Sequence, residues 1–297
     1  MLAVAFVAFS LFNFVGDPVN MMLGQDATPE QKKELRESLG LDKPTYVQFA
    51  AFVGNAVKGE FGLSLRQARP VSTLIKERLP ATLELAFVAG ALALIGGVLM
   101  GVYTALRRDG WFSQVLLTLS LVGVSLPNFL IGILLILVFA VTLQILPSYS
   151  RGDVTQLGWW STGFLTTSGL KALVLPSVTL SLYPMTLIMR LVRSEMLEVL
   201  RTDYIKFARA RGLTNQAVHF GHALKNTLVP VMTIAGLQLG AIIAFAIVTE
   251  TVFQWPGMGF LFIQSVQFAD IPVMAAYLVL ISMVFVTINL IVDLLYY

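Results

Sequence analysis

Few residues in this chain have the types and the spacing that chemistry requires. His219 and His222 are the only histidines, and their spacing of three would place both on one face of a helix, where imidazoles can bind a metal ion. No carboxylate or thiol that could complete such a site lies close to them, so we expect the pair to have a structural or interfacial role. The chain has no cysteine, which excludes a zinc–thiolate site, a disulfide scaffold and a cysteine nucleophile.

Motifs of the common reaction classes are also absent from the sequence. It contains no G-x-x-x-x-G-K-[ST] phosphate-binding loop, no H-E-x-x-H and no G-x-S-x-G. The acids next to apolar segments are Glu84 and Glu250, predicted near the outer interface, and Asp293, predicted near the inner one, all within reach of water. An intramembrane enzyme would need paired carboxylates or a Ser/His pair at membrane depth, and neither occurs. We therefore expect a chain that is not an enzyme and that binds no metal or cofactor.

Uncharged polar residues within the apolar segments have two possible roles. Polar groups inside a bilayer are costly, so they either hydrogen-bond between helices or line a path for solutes. Asn128, Tyr183 and Gln238 are the best candidates for lining a pathway, and the sequence leaves both roles open for each. Two small-residue repeats, Gly97-x-x-x-Gly101 and Gly236-x-x-x-Gly240, would permit close contact between helices.

The elements that must position these residues are membrane-spanning helices. Hydrophobic residues make up 57% of the 297 residues and charged residues 12%, whereas soluble domains are about one quarter charged. A spanning helix needs about 20 apolar residues, and six segments meet or approach that length: 1–15, 81–106, 111–146, 172–189, 227–249 and 271–292. We predict an all-α membrane protein with a single transmembrane domain over 1–297. The net charge of +3 and the lack of a dense basic block argue against nucleic acid as a partner.

The distribution of basic residues decides how often segment 111–146 crosses the membrane. It follows Arg107 and Arg108, and the later stretch 190–225 contains seven Lys/Arg against three Asp/Glu, so both basic loops belong in the cytoplasm. Only one crossing puts them on the same side, which predicts one long helix that enters along the interface and kinks near Pro127. Six spans with both termini cytoplasmic follow.

The outer loops are then 16–80, 147–171 and roughly 250–270. Within the first, Thr28-Pro29-Glu30 is typical of a helix start, segment 45–57 is apolar, and 70–79 is typical of a short amphipathic helix, so we predict a small ordered periplasmic cap. This cap either packs on the outer helix ends or provides a docking surface for another protein. The tryptophans of the other two loops are expected to form an interfacial aromatic belt: Trp159, Trp160 and Trp255.

The cytoplasmic loop 190–225 contains a short amphipathic segment. Its apolar stripe at helical spacing comprises Leu197, Leu200, Tyr204, Phe207 and Ala208, its basic residues Arg201, Lys206 and Arg209 lie off the stripe, and Gly212 ends the helix. Such a helix either projects into a groove of a partner protein or lies on anionic lipid headgroups. The pattern alone does not distinguish the two.

The same segment carries a resemblance to a known family. The sequence DYIKFARARG over 203–212, followed by HALKN over 222–226 and Val229-Pro230, resembles the coupling (EAA) loop of bacterial ABC-importer permeases of the dipeptide/oligopeptide/nickel type. Lys206 and Phe207 replace the Glu and Ala of the general pattern and Lys225 its Pro, as in the peptide subclass. Three further stretches are similar to family signatures: GDP over 16–18, GEFGLS over 59–64 and ETVFQWPGMG over 250–259.

The resemblance implies a type I ABC-importer transmembrane domain with six helices in the bacterial inner membrane. It implies a permease subunit paired with a second related permease, with two cytosolic ATPases and a periplasmic substrate-binding protein. The residues implied in coupling to the ATPases are Lys206, Ala208, Arg209 and Gly212. Both ends of the chain look trimmed relative to the family, so the first helix is expected to be clipped.

The resemblance leaves the cargo open among dipeptides, oligopeptides, glutathione and nickel. The alternative function is an ion-coupled secondary transporter. Such a transporter would need carboxylates at mid-membrane depth, where this sequence has none.

Overall fold

A computed structural model describes residues 2–14, 19, 28–38 and 42–295. The regular secondary structure of the described residues is helical apart from one short hairpin. Its elements are α1 (Leu2–Phe14), α2 (Pro29–Ser38), α3 (Thr45–Val57), α4 (Val71–Leu106), α5 (Trp111–Ser125), α6 (Asn128–Leu135) with a π-helical extension (Ile136–Thr142), β1 (Thr155–Leu157), β2 (Trp160–Thr162), α7 (Thr167–Val199), α8 (Asp203–Ala210), a π-helical turn (Ala217–Ala223) leading into α9 (Leu224–Val252), α10 (Met258–Gln267) and α11 (Ile271–Leu295).

Four described helices are long and apolar enough to cross a membrane: Val71–Leu106, Thr167–Val199, Ala217–Val252 and Ile271–Val292. Helix α1 is apolar but only 13 residues long. Helix α4 begins ten residues before the predicted span, because the amphipathic helix expected over 70–79 continues through Pro80 without a break. The predicted all-α membrane fold is confirmed, while the count of six spans stays a prediction.

Segment 111–146 is two helices rather than the single kinked helix predicted. Helices α5 and α6 meet at an angle of 113° across Leu126 and Pro127. Leu126 has an extended backbone, with φ −90° and ψ 137°, as expected for a residue that precedes proline. The break therefore lies at the predicted Pro127, but it turns the chain far more sharply than a proline kink within a continuous helix would.

Both predicted small-residue repeats lie at helix contacts. A side chain at Gly97 or Gly101 of α4 would overlap Ile188 or Val192 of α7, and Gly236 of α9 lies equally close to Val292 of α11. The missing Cβ atoms let the backbones approach closely, as small residues do in membrane helix pairs.

The segment before α4 is ordered where the structure describes it. Thr28 and Gln31 cap α2 reciprocally, the Thr28 hydroxyl accepting from the Gln31 amide at 3.4 Å and the Gln31 side chain from the Thr28 amide at 3.1 Å. Helix α3 packs on α1 through Phe49, whose ring centroid lies 5.4 Å from that of Phe9. The GDP motif at 16–18 lies outside the described residues.

Candidate functional site

The predicted coupling segment forms a separate short helix, α8, between α7 and the π-helical turn before α9. Its first turn carries Asp203 and its last turn Arg209, which complements the helix dipole at both ends. The Lys206 ammonium lies 2.8 Å from the Asp203 carboxylate, although both side chains are well exposed. The chain reaches α8 through a tight turn after Val199, where α7 ends.

The buried face of α8 differs from the predicted stripe. Ile205 and Ala208 are 0% and 5% exposed and belong to an apolar cluster that includes Val192 and Val218, whereas Tyr204 and Phe207 are 49% and 63% exposed. The predicted stripe assumed one continuous helix from Leu197, but the turn after Val199 resets the helical phase. The buried face fixes α8 to the ends of α4, α7 and α9.

Gly212 ends α8 in the way that its residue type favours. Its φ of +80° lies in the left-handed region, its amide donates to the Arg209 carbonyl at 2.9 Å, and the Leu213 amide donates to the Ala208 carbonyl at 3.4 Å. These two bonds form a Schellman motif, in which glycine is the preferred residue. No protein atom lies within 4 Å of the position that a Cβ would take, so the constraint on this residue within the chain is its backbone conformation.

The exposed face of α8 is both aromatic and cationic. Phe207 projects from it between Lys206 and Arg209, which are also exposed. Of the two histidines, His222 contacts the Tyr204 hydroxyl through Nδ1 at 2.5 Å. No group of three potential metal ligands occurs among the described residues.

The candidates for a pathway lie on three different helices. Asn128 begins α6 directly after the break, Tyr183 lies on α7 and is 41% exposed, and Gln238 lies on α9. Gln238 lines a cavity of about 260 Å³ between α4, α7 and α9, which the other two do not line. None of the three side chains hydrogen-bonds another described residue.

Glu84 is buried rather than within reach of water as predicted. Its carboxylate accepts from the Arg151 guanidinium at 2.5 Å and from the Gly163 amide at 3.3 Å, and the two charged side chains are 3% and 6% exposed. Arg151 also donates to the Ser161 hydroxyl at 2.9 Å. The pair ties the N-terminal part of α4 to the β1–β2 hairpin, and no sequence signal connected these residues, which are 67 positions apart.

Glu250 is also buried, at 0% exposure. Its carboxylate accepts from the Thr82 hydroxyl at 2.6 Å and from the Phe260 amide at 2.9 Å. Gly257 lies so close to this carboxylate that a side chain there would overlap it, and a side chain at Gly259 would overlap the Ile247 backbone and press against the carboxylate. The stretch WPGMG after α9 thus wraps its backbone around the acid, which explains the spacing of its glycines.

Trp255 belongs to the core and not to an interfacial belt as predicted. It is 1% exposed, and its indole donates to the Ala81 carbonyl at 3.0 Å. Trp159, at the tip of the hairpin, is by contrast 65% exposed. The hydrogen bond to Ala81 gives the tryptophan a fixed position against the N-terminal part of α4.

Asp270 holds the loop that precedes α4. This acid, 2% exposed, accepts from the Ser64 hydroxyl and from the amides of Leu65 and Arg66 at 3.1 and 3.4 Å. The Arg66 guanidinium also stacks over Phe268, 3.6 Å from the ring centroid. The family-like stretch at 59–64, which leads into α4, is thus held by Asp270. The stretch at 250–259 is bound to α4 itself, through Thr82 and Ala81.

Comparison with known families decides the class of the protein. The family described as "binding-protein-dependent transport system inner membrane component" matches residues 97–297, and its N-terminal companion family matches residues 1–86. The chain belongs to this family. The predicted resemblance to ABC-importer permeases of the peptide type is confirmed by relatives that carry such names.

A dipeptide transport system permease protein, DppB, of Alkalihalophilus pseudofirmus is 37% identical over 100% of this chain and 93% of its own length. A di/tripeptide permease of Pseudomonas aeruginosa, also named DppB, is 39% identical over 99% of this chain and 91% of its own. A probable D,D-dipeptide permease of Escherichia coli, DdpB, is 38% identical over 95% and 86%.

The fold has a solved counterpart. A chain of the MetNI methionine ABC transporter, in an inward-facing conformation, matches with a TM-score of 0.58 at 20% identity, over 75% of this chain and 94% of that one. At this identity the match concerns the fold alone, and it confirms the predicted ABC-importer transmembrane architecture. The chain is therefore a transport permease, and nothing in these comparisons favours the ion-coupled secondary transporter.

Proposed function

We propose that this chain is one of two permease subunits of an ATP-driven importer, with peptides as its cargo and α8 as its point of attachment to a cytosolic ATPase. The observation that carries the proposal is the two-sided structure of α8. Ile205 and Ala208 anchor its inner face, while Phe207, with Lys206 and Arg209 beside it, forms an exposed outer face. An exposed aromatic residue on a helix of eight residues is suited to a groove in a partner protein.

Anchoring of α8 makes the coupling mechanical. Ile205 and Ala208 share one cluster with Val102 of α4, Val192 of α7 and Val231 of α9. A force applied to the exposed face is thus transmitted to three long helices at once, because packed side chains move as a unit. Ala208 acts in this scheme by holding α8 in place, since it is too buried to touch an ATPase itself.

The orientation in the membrane rests on where the basic residues gather. Arg193 of α7 contacts the Thr104 carbonyl near the end of α4, so Arg107, Arg108 and α8 belong to the same end of the molecule. Gly123 of α5 faces Thr186 and Gly132 of α6 faces Thr179, so segment 111–142 advances along α7 in one direction. This progression supports one crossing, six spans in all and cytoplasmic termini.

Peptide cargo is supported by the names of the relatives and by the character of the interior. The cavity that contains Gln238 is otherwise apolar. The acids Glu84 and Glu250 already have partners, since Glu84 is paired with Arg151 and Glu250 accepts a hydrogen bond from Thr82. A pathway without a free fixed charge would hold a zwitterionic peptide weakly. Selection would then fall to a separate substrate-binding protein, and a second permease would complete the pathway, which Asn128, Tyr183 and Gln238 would line.

The decisive experiment changes Gly212 while sparing the anchored face. Gly212→Asp adds a negative charge beside Arg209 and Arg211 and should abolish ATP-dependent peptide uptake while insertion into the membrane persists. Gly212→Asn is the matched control, because Asn has the same size, lacks the charge and also tolerates positive φ. Uptake by Gly212→Asp at the level of Gly212→Asn would contradict the coupling role.

A second experiment uses the absence of native cysteines. Phe207→Cys should be labelled by a membrane-impermeant maleimide only from the cytoplasmic side and should cross-link to a co-purified ATPase, and Trp159→Cys should be labelled only from outside. Labelling of Phe207→Cys from outside would overturn the orientation. Uptake assays with labelled dipeptides, longer peptides and glutathione, each with the cognate binding protein, then identify the cargo.

A further inference from the structure

A cationic cavity opens between α5 and α7, at the end of the molecule that carries α8. It has a volume of about 330 Å³, and its polar lining consists of Arg190, Arg193, Ser120 and Ser194. The rest of its wall is formed by three leucines, Leu117, Leu121 and Leu197. The cavity thus joins two guanidinium groups to an apolar surface, and no carboxylate lines it.

Neither arginine is neutralised within the described part of the chain. Arg190 is exposed and has no ion pair or hydrogen bond to a described residue, and Arg193 has only a 3.4 Å bond from its Nε to the Thr104 carbonyl. The two residues lie three apart on α7, on the same side of the helix. Planar guanidinium groups bind phosphate oxygens bidentately, so the pair is suited to one phosphate group.

The position of the cavity points to the source of that phosphate. Thr104, which Arg193 contacts, lies two residues before α4 ends at Leu106, so the arginines are at the depth of the lipid headgroups. On the neighbouring α5, Leu119 and Leu121 are 59% and 55% exposed. A soluble phosphate needs no apolar wall, whereas a phospholipid presents a phosphate and acyl chains together.

We propose that this cavity binds the phosphate group of an anionic phospholipid, with the start of its acyl chains against the leucines. Basic pockets between membrane helices bind acidic headgroups by this combination of contacts. The proposal requires only that the chain spans a membrane, and it stands or falls independently of coupling by α8.

The site has a consequence for transport, because α7 connects it to α8. Arg190 and Arg193 lie on one face of α7, and Val192 and Met196 on the adjoining face pack in the cluster that anchors α8. A bound lipid therefore fixes the segment of α7 that positions α8. Anionic lipid should raise the rate of uptake through these two arginines.

The test uses the complete transporter, purified in mild detergent and titrated with dioctanoyl phosphatidylglycerol, dioctanoyl phosphatidylcholine or inorganic phosphate, with binding followed by native mass spectrometry. Wild type should bind the phosphatidylglycerol in preference to the other two. Arg190→Gln should weaken this binding about tenfold, as the loss of one charge-assisted contact predicts, and the double change with Arg193→Gln should weaken it further. Arg201→Gln, an equal change of charge outside the cavity, should bind as wild type does.

Every outcome of this titration bears on the proposal. Equal binding by wild type and Arg190→Gln would overturn it, as would displacement of the lipid by inorganic phosphate at comparable concentrations, which would make the ligand a soluble anion. Absence of arginine-dependent binding in the complete transporter would also overturn it and make the cavity part of a protein interface. In vesicles of phosphatidylcholine with and without phosphatidylglycerol, stimulation of uptake that is lost in Arg190→Gln would support it.

Discussion

The buried ion pair between Glu84 and Arg151 allows a test in which two changes should do less harm than one. Glu84→Leu leaves the Arg151 guanidinium buried without a counter-charge, and Arg151→Met leaves the carboxylate in the same state. Removal of one partner of a buried pair costs about 3–5 kcal/mol, whereas replacement of both by apolar residues is often neutral. In this structure Glu84 Oε1 and Arg151 Nε have no hydrogen-bond partner, so the native pair is itself incompletely satisfied.

The expected size of the effect follows from the contacts that remain. In the double variant the Gly163 amide loses its acceptor and the Ser161 hydroxyl and carbonyl lose their donor, but no unpaired charge stays buried. For a chain of this length, a loss of 3–5 kcal/mol corresponds to a fall in Tm of about 5–8 °C by the usual entropy per residue. We therefore expect the Tm of each single variant to fall by about this amount and the double variant to recover part of the loss.

The assay is thermal unfolding of the purified protein, followed by tryptophan fluorescence, with Trp160 of the attached hairpin as a nearby reporter. The half-exposed pair of Arg69 and Glu77 is the matched control, and Glu77→Gln should cost no more than about 1 kcal/mol. If the double variant is less stable than both single variants, the reasoning from charge burial is refuted. If the Glu84 and Arg151 single variants are as stable as Glu77→Gln, the conclusion that the Glu84–Arg151 pair is buried is refuted.

Three further predictions concern stability and local opening. Gly257→Ala should destabilise the protein by about 1–3 kcal/mol in thermal unfolding, because its new methyl group would overlap the Glu250 carboxylate; unchanged stability would contradict this overlap. Gly54→Ala in α3, where a Cβ meets no atom within 4 Å, should instead gain about 0.5–1 kcal/mol, and a loss would show an unseen contact. Asp270→Ala should speed hydrogen exchange of the amides over 62–71, since it removes the acceptor of the Ser64 hydroxyl and of two amides; unchanged exchange would mean that other contacts hold the loop.

The sequence allowed the helical membrane fold and the family to be predicted, because both depend on local patterns. Apolar segments of sufficient length mark membrane helices whatever their neighbours, and proline marked the break at Pro127. The 113° turn at that break was not predictable, since it depends on which faces of α5 and α6 pack against α7. The apolar stripe on α8 was predicted wrongly for a related reason. The turn after Val199 shifts the helical phase, and the spacing of apolar residues in the sequence does not show where such a turn occurs.

Contacts between distant parts of the chain were the main omission. Glu84 and Glu250 were placed near water because each lies at the end of an apolar segment, yet both are buried by partners that the sequence does not indicate. Ser64 and Asp270 are 206 residues apart, and each is unremarkable in its own segment. The glycines of the WPGMG stretch were the one available signal, since glycines at that spacing indicate a close approach of backbone to another group.

The close contact of α4 with α7 limits the motions that can carry substrate. At Gly97 and Gly101 the α4 backbone rests on Ile188 and Val192, so a sliding shift along the helix axis would drive bulky side chains into one another. Tilting about this contact avoids that overlap, but the hairpin and the segment after α9 must move with α4, because Arg151 and Trp255 are bound to its N-terminal part. From the contact the helix extends about 10 Å to Leu106 and about 27 Å to Ala81, at 1.5 Å per residue. A tilt that moves the Leu106 end of α4 by one ångström therefore moves its Ala81 end by more than two, in the opposite direction, so a small movement next to α8 would be amplified at the far end of the helix.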